Sequence, residues 1–339
     1  MARLADVSAS TASRALNPAH SHPVNPATRK RVLEATSKLN YQPNLMARGL
    51  RSRRLPTISV IVHDITDAYF AEIVRGAADE ANRNSFLTFV CSSRRDPAVE
   101  LRYVEMLRLS GVSAVLFAAG GLLDRAYQRA MKKQVEAIQE YGGSVVALAP
   151  RVERWPTEVC DNRGGAQLMT EHLLRLGHHR IAFITGPPQV RTSHEREAGY
   201  VLAMKAAGHD PLVAPGDFTE PGGEQATARL LDSRAGFTAL FISNDTMALG
   251  ALSELRKRKV EVPRDLSLGV FGDIPAWGYT TPRLTAIRIG LAEIGVAGVR
   301  RALAILQGQD SSPRVRVHPV SLVERDSTAP LRRTAAALA

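Results

Sequence analysis

Near the start of the chain, the stretch VSASTASRALNP over residues 7–18 carries small hydroxyl side chains and one arginine at helical spacing. Ser8 is a good N-cap. From Ala9 to Asn17, Ala12, Ala15 and Leu16 then share one face, while Ser10, Ser13, Arg14 and Asn17 share the other. Small residues let a backbone come close to phosphates, and an arginine among them can give two hydrogen bonds to a guanine edge. The chemistry within reach is recognition of a duplex; a surface helix of an ordinary small domain is an equal reading of these residues alone. Far downstream, Asn244 and Asp245 follow the run ALFIS, at the carboxyl end of an expected strand, where α/β folds bind ligands. Capping of the next helix is an equal reading for both residues, and the two roles can coexist. Asp161, His172, His178 and His179 are scattered and imply no catalytic geometry, so helix-terminal or surface roles are expected of them. Cys91 and Cys160 have no His or Cys neighbour at metal-ligand spacing and read as small buried hydrophobes. The alternating region that begins at Thr57 contains neither a dinucleotide-binding glycine pattern nor a P-loop. No enzyme, cofactor or metal is expected.

The elements that must hold these residues differ along the chain. Residues 1–56 carry ten Lys and Arg against Asp6 and Glu34, so +8 of the net +11 sits in about a sixth of 339 residues. That is the footprint of a polyanion-binding module joined to a near-neutral domain. ARLADV reads as a short helical remnant that a tight turn joins to Ser8, which makes a pair of helices of the kind whose second member enters a major groove. A further helix follows, with Asn25 as cap, Pro26 in the first turn, and Val32, Leu33, Thr36 and Leu39 as its inner face. Pro43 stops it and Asn44 can cap another, but LMARGL is only about a turn and a half and should form only when docked.

From Thr57 onward, apolar runs alternate with amphipathic helical stretches: TISVIV, FLTFVCSS, AVLFAA, SVVALA, RIAFITG, ALFISN and LSLGVFG read as strands, with helices between. In the first of those helices, over residues 68–84, Phe70, Ile73, Val74, Ala77 and Ala81 recur at helical spacing. Such alternation implies parallel sheets covered on both faces, here in two doubly wound lobes whose facing strand ends make a cleft. After Thr285 come one more strand, TAIRI, a helix over 291–307, and VRVHPVSLVERDS, which fit a late return of the chain through both lobes. No apolar run is long enough to span a membrane and no secretory signal is legible, so a soluble, cytoplasmic protein is expected.

VSASTASRALN, VNPATRKRVLEATSKLNYQPNLMARGLRS, AEIVRGA, CSSRRDP, DNRGGAQLMTEHLLRLGHHRIAFITGP, EREAGY, SNDTMALGAL and VERDSTAP together resemble the lactose and galactose repressor (LacI/GalR) family over essentially the whole chain. The resemblance implies an all-α helix-turn-helix headpiece, a hinge helix that folds in the minor groove, and an α/β core like the periplasmic binding proteins. The implied boundaries are 1–42 for the headpiece, 43–56 for the hinge helix and linker, and 57–330 for the core, with 331–339 as a tail. Within the core, the N-lobe would hold about 57–158 and 290–317, and the C-lobe about 159–289 and 318–330. By position, Ala9, Ser10 and Arg14 would face base edges, with Ser8, Thr11, Ser13 and Asn17 near phosphates. Asn44, Arg48 and Leu50 would belong to the hinge-helix contact, with Leu50 wedged into a central base step. Gly49 raises the cost of ordering that helix by roughly 0.5–1 kcal/mol relative to Ala. The expected effector site comprises Tyr69, Phe70, Arg196, Asn244 and Asp273.

There are departures from the family pattern. Helix 1 usually begins about half a dozen residues earlier, so a start codon upstream of Met1 is expected. Gly272 stands where the first acid of F-D-D-I-P is common, Pro150 where an Asp before Arg is frequent, and Ile289 in place of a common Gln. With acceptors lost and Arg196 kept, an anionic effector such as a sugar acid is expected. The resemblance implies a transcriptional repressor that acts as a homodimer on operator DNA. The tail is too short for a heptad bundle, so no tetramer built that way is expected.

Overall fold

A computed structural model describes residues 1–16, 24–39, 55–151 and 155–331, which fall into two compact units, 1–55 and 56–339. In the first unit, helix α1 (Ala9–Ala15) starts at Ser8, whose hydroxyl accepts a hydrogen bond from the Thr11 amide at 3.1 Å. Helix α2 (Pro26–Lys38) starts at Asn25, whose side chain accepts from the Ala27 amide, and Pro26 costs nothing there because the N–H it lacks would have had no intrahelical acceptor. Residues 2–6 form turns, with the Ala5 amide bonded to the Met1 carbonyl, instead of a helix. The small core is Ala5, Ala12, Ala15, Val32 and Ala35. Leu33 and Leu39 are 49% and 52% exposed, so the expected inner face of α2 is corrected to Val32 and Ala35, with Thr36 at its margin. The alanines of α1 bring the two helices close, and only a narrow stripe of α2 is then covered.

The second unit holds two six-stranded sheets. The first has the order β11-β5-β4-β3-β1-β2 and the second β12-β10-β9-β8-β6-β7. The first contains β1 (Leu55–Val62), β2 (Leu87–Ser92), β3 (Val112–Phe117), β4 (Ser144–Ala147), β5 (Thr157–Cys160) and β11 (Val315–His318). The second contains β6 (Ile181–Ile184), β7 (Leu212–Ala214), β8 (Ala239–Ile242), β9 (Ser267–Phe271), β10 (Thr285–Ile289) and β12 (Val320–Val323). Each paired register is parallel except β10 with β12. The central strands β1, β3, β4, β6, β8 and β9 are nearly continuous apolar runs because helices cover both sides. In β1, Ile58, Val60 and Val62 face one core while Ile61 faces another. Two strands lie outside the apolar runs read from the sequence: β5 carries Glu158 at its centre, and β7 has only three residues, with Val213 exposed.

On the first sheet, α3 (Ala68–Arg83) and α10 (Leu291–Leu306) pack on one face, and α4 (Pro97–Leu109) and α5 (Arg125–Glu140) on the other. Gly76 and Gly295 let α3 and α10 meet backbone to backbone: an added Cβ would lie 2.0 Å from the Ala292 carbonyl oxygen or 2.2 Å from that of Ile73. On the second sheet, α6 (Asn162–Arg175) and α7 (Arg191–Ala206) face α8 (Glu220–Asp232) and α9 (Asp245–Lys257) across the strands. The chain passes between lobes after β5, after β10 and between β11 and β12, where the Asp161 amide donates to the His318 carbonyl.

Candidate functional site

In the first unit, Ser8, Ala9, Ser10 and Arg14 are exposed on one side of α1, with Thr11 and Ser13 partly covered. The hydroxyls form a local network: Ser8 Oγ lies 2.8 Å from Ser10 Oγ and 2.9 Å from Thr11 Oγ1, and Arg14 Nη2 donates to Thr11 Oγ1 at 3.4 Å. Arg3, Arg14, Arg29, Lys30, Arg31 and Lys38 are all exposed, and none lies within ion-pair distance of a carboxylate among the described residues. A cationic face without internal counter-ions suits an external polyanion. Asn17, Asn44, Arg48, Gly49 and Leu50, with the expected hinge helix, lie outside the described residues.

In the second unit, a cavity of about 70 Å³, partly open to solvent, lies between the lobes at the carboxyl ends of β1, β3, β4 and β8. Tyr69, Phe70, Arg196 and Asn244 all line it. Phe70 is buried and Tyr69 partly so, the rings meeting edge to face at 5.1 Å. Asn244 caps α9, its Oδ1 accepting from the Met247 amide at 3.1 Å.

Arg196 is 3% exposed on α7. Its Nε donates to Asn162 Oδ1 at 2.9 Å, its Nη1 to the Ser243 carbonyl, and its guanidinium carbon lies 3.9 Å from the Phe271 ring centroid. Nη2 makes no protein hydrogen bond among the described residues, and no described carboxylate lies within ion-pair distance. A buried guanidinium held this firmly, with one donor group uncommitted, is built to meet an oxygen.

Asp273 is placed elsewhere. Its carboxylate lies 2.7 Å from both Arg288 Nε and Arg325 Nη2, away from the residues that line the cavity. The turn after β9 directs Asp273 toward these two arginines, so the expectation that it contacts ligand is corrected. The residues that sequence reasoning missed are His63, Asp67, Arg95 and Phe218, on loops and helix starts outside any apolar repeat. Asp67 caps α3, and its Oδ2 accepts from Thr246 Oγ1 across the cleft at 3.4 Å. Arg95 also crosses, donating to the Asp217 carbonyl at 2.8 Å. Burial, with Arg95 and Arg151 nearby, pushes His63 down to about 3, so the ring is neutral. Burial raises Asp67 above the usual carboxylate range and Asp245 up to about 7.

The other polar residues noted in the sequence are structural. Asp161 caps α6 through the Gly164 amide. His172 and His178 are buried rather than at the surface, bonding Thr328, Thr238 and the Ala329 carbonyl, so they tie down the C-terminal segment. Cys160 is buried and Cys91 half-buried.

Comparison with known proteins follows both parts of this architecture. Residues 1–44 match the family described as bacterial regulatory proteins, lacI family, and residues 170–328 match the periplasmic binding protein-like domain. The HTH-type transcriptional repressor CytR of Escherichia coli (strain K12) is 34% identical over 331 residues, 96% of this chain and 94% of that protein. A lac repressor dimer bound to operator and the anti-inducer ONPF superposes with a TM-score of 0.82 at 26% identity, covering 97% of each chain. A LacI family regulator from Enterococcus faecium with bound ribose gives 0.71 at 28% identity, covering 81% of this chain and all of that one. The chain belongs to the lacI family of bacterial regulatory proteins, and it is a DNA-binding transcriptional regulator.

Proposed function

We propose that the protein is a cytoplasmic repressor that works as a homodimer on a pseudo-palindromic operator, and that a sugar, sugar acid or related metabolite in the interlobe cavity sets its operator affinity. It acts by binding, without a catalytic step. In this reading, residues 1–42 read the duplex, 43–56 link and hinge, and the lobes of 57–330 respond to the ligand, with 331–339 as tail. Ser8, Ala9, Ser10, Thr11, Ser13, Arg14, Asn17, Asn44, Arg48 and Leu50 are the DNA contacts.

The observation that carries this reading is the Arg196 guanidinium, its Nη2 uncommitted in a cavity to which both lobes contribute aromatic and polar groups. Tyr69, Phe70 and Phe218 offer ring faces, and Asn244, Asp245 and Asp67 offer oxygens to hydroxyl groups. A ligand that touches both lobes stabilises one lobe arrangement by its differential affinity, and this difference alone can alter operator binding. Among the described residues no carboxylate lies within ion-pair distance of Arg95 or Arg196, which favours the anionic members of the ligand class. Asp245 partly replaces the acceptor missing at Gly272, which keeps neutral sugars as the competing class. The dimer is supported by the exposed apolar residues Leu87, Phe89 and Val90 of edge strand β2, with Met106 and Leu109 of α4, which a second copy would cover. Calorimetric titration of the full chain with ribose, glucose and glucuronate tests the site. Tight binding of glucuronate supports the anionic class, tight binding of a neutral sugar alone contradicts it, and ligand binding unaffected by Arg196→Met contradicts the site.

A further inference from the structure

Asp245 is the first residue of α9, and Asn244 already caps that helix, so the Asp245 carboxylate is free for another task. Its Oδ1 accepts the indole N–H of Trp277, a side chain with no exposed surface. Its Oδ2 occupies space that any side chain at position 272 would need: a Cβ on Gly272 would lie 1.9 Å from it. Gly272 also has φ +123°, a conformation that L side chains rarely adopt. The three residues fit as a set. The carboxylate from position 245 takes the volume that a side chain at position 272 would need, is gripped by a tryptophan and lines the cavity.

We propose that Asp245, Gly272 and Trp277 make the effector cavity proton-sensitive: the ionised carboxylate grips the indole and offers the ligand an acceptor, and the protonated acid loosens that grip and offers a donor. The proton comes from water and returns to it. The inference rests on the reading of this cavity as the effector site. The charged and titratable groups that face Asp245 are Asp67 and Tyr69 at the start of α3 and Arg196 on α7, with His63 and Arg95 elsewhere on the cavity wall. Burial is the largest cause that lifts Asp245 to about 7; the Trp277 N–H opposes it, Asp67 adds to it, and Arg196 opposes it. His63 is neutral, and Arg95 points its guanidinium at carbonyls across the cleft. Asp67 is raised by burial as well, and Asp245, raised to about 7, is an acid of this wall whose charge changes near neutral pH.

The chain has two tryptophans, Trp155 and Trp277, so indole N–H signals from the ¹⁵N-labelled full-length protein read the set without any ligand. One of two indole resonances should titrate with a midpoint near pH 7, should disappear in Trp277→Phe, and should lose its titration in Asp245→Asn while keeping its dispersion. Two resonances flat from pH 5 to 9, or a titration that survives Asp245→Asn, would overturn the proposal. Gly272→Ala gives a second check: a folded variant should shift the midpoint by at least half a pH unit, and an unchanged midpoint would contradict the packing argument. A flat titration would sink the proton sensitivity and leave the effector site standing; failure of every sugar and sugar acid to bind would do the reverse.

Discussion

Arg14 and Arg196 both lack a carboxylate partner among the described residues, yet they stand in opposite surroundings. Arg14 is exposed on a helix whose buried side is two alanines, in a unit whose described cations have no carboxylate within ion-pair distance among the described residues. Arg196 is buried, bonded to Asn162 and the Ser243 carbonyl, and stacked on Phe271. The first arrangement keeps a guanidinium exposed to solvent until a polyanion displaces its counter-ions; the second holds it beforehand by buried hydrogen bonds and a ring face, so that less entropy is lost when an oxygen arrives. One region is made for a large charged surface met in solution, the other for a small molecule enclosed between lobes. Their energetics should separate under mutation.

Arg196→Met should give the largest separation. Losing a charge-assisted contact costs about 3 kcal/mol of ligand affinity, on the order of a hundredfold, while operator binding by the ligand-free protein stays unchanged. Calorimetry paired with a gel-shift assay reads both, and a parallel loss in the two assays would break the distinction. Arg14→Ala should do the opposite, costing about 2 kcal/mol in binding to the preferred duplex and relaxing preference at one base position, with ligand affinity untouched.

Proton linkage sharpens the contrast within the cavity. His63 has a folded value of about 3 against 6.5, so its neutral form is favoured by folding. The stability that it contributes is present above pH 6.5 and is lost as pH falls toward about 3, at up to about 1 kcal/mol per pH unit. Asp245 has the reverse sign: its folded value of about 7 exceeds 3.8, so its contribution is present below about pH 4 and is lost as pH rises to about 7. His63→Gln should therefore flatten the fall in melting temperature on acidification, and Asp245→Asn should remove the opposing slope; melting curves from pH 4 to 8 check both. The smallest effect belongs to Arg75, exposed and paired with Glu72 at 2.6 Å, where Arg75→Ala should change stability by less than about 0.5 kcal/mol.

Legibility in the sequence follows burial pattern. Strands covered on both sides are continuous apolar runs, so β1, β3, β6, β8 and β9 stand out, while β5 hides behind the buried Glu158, which pairs with Arg301 and His318. The caps Ser8 and Asn25 are legible because capping depends on local spacing. Leu33 and Leu39 mislead because periodicity names an apolar stripe without saying how much of it a neighbour covers. Asp273 misleads for a related reason: it lies near the carboxyl end of β9, but arginines from β10 and from the segment after β12 claim its carboxylate. His63, Arg95 and Phe218 come together only through the approach of two lobes, and no local pattern encodes that.

The central claim is that a cationic head with a small-residue reading helix selects a particular duplex. Its most direct test is equilibrium binding of the full-length protein to a duplex enriched from a random pool, measured against unselected competitor over a range of salt concentrations. The account predicts a preference of about a thousandfold or more, with affinity falling steeply as salt rises. Equal binding to selected and random duplexes at moderate ionic strength would contradict it.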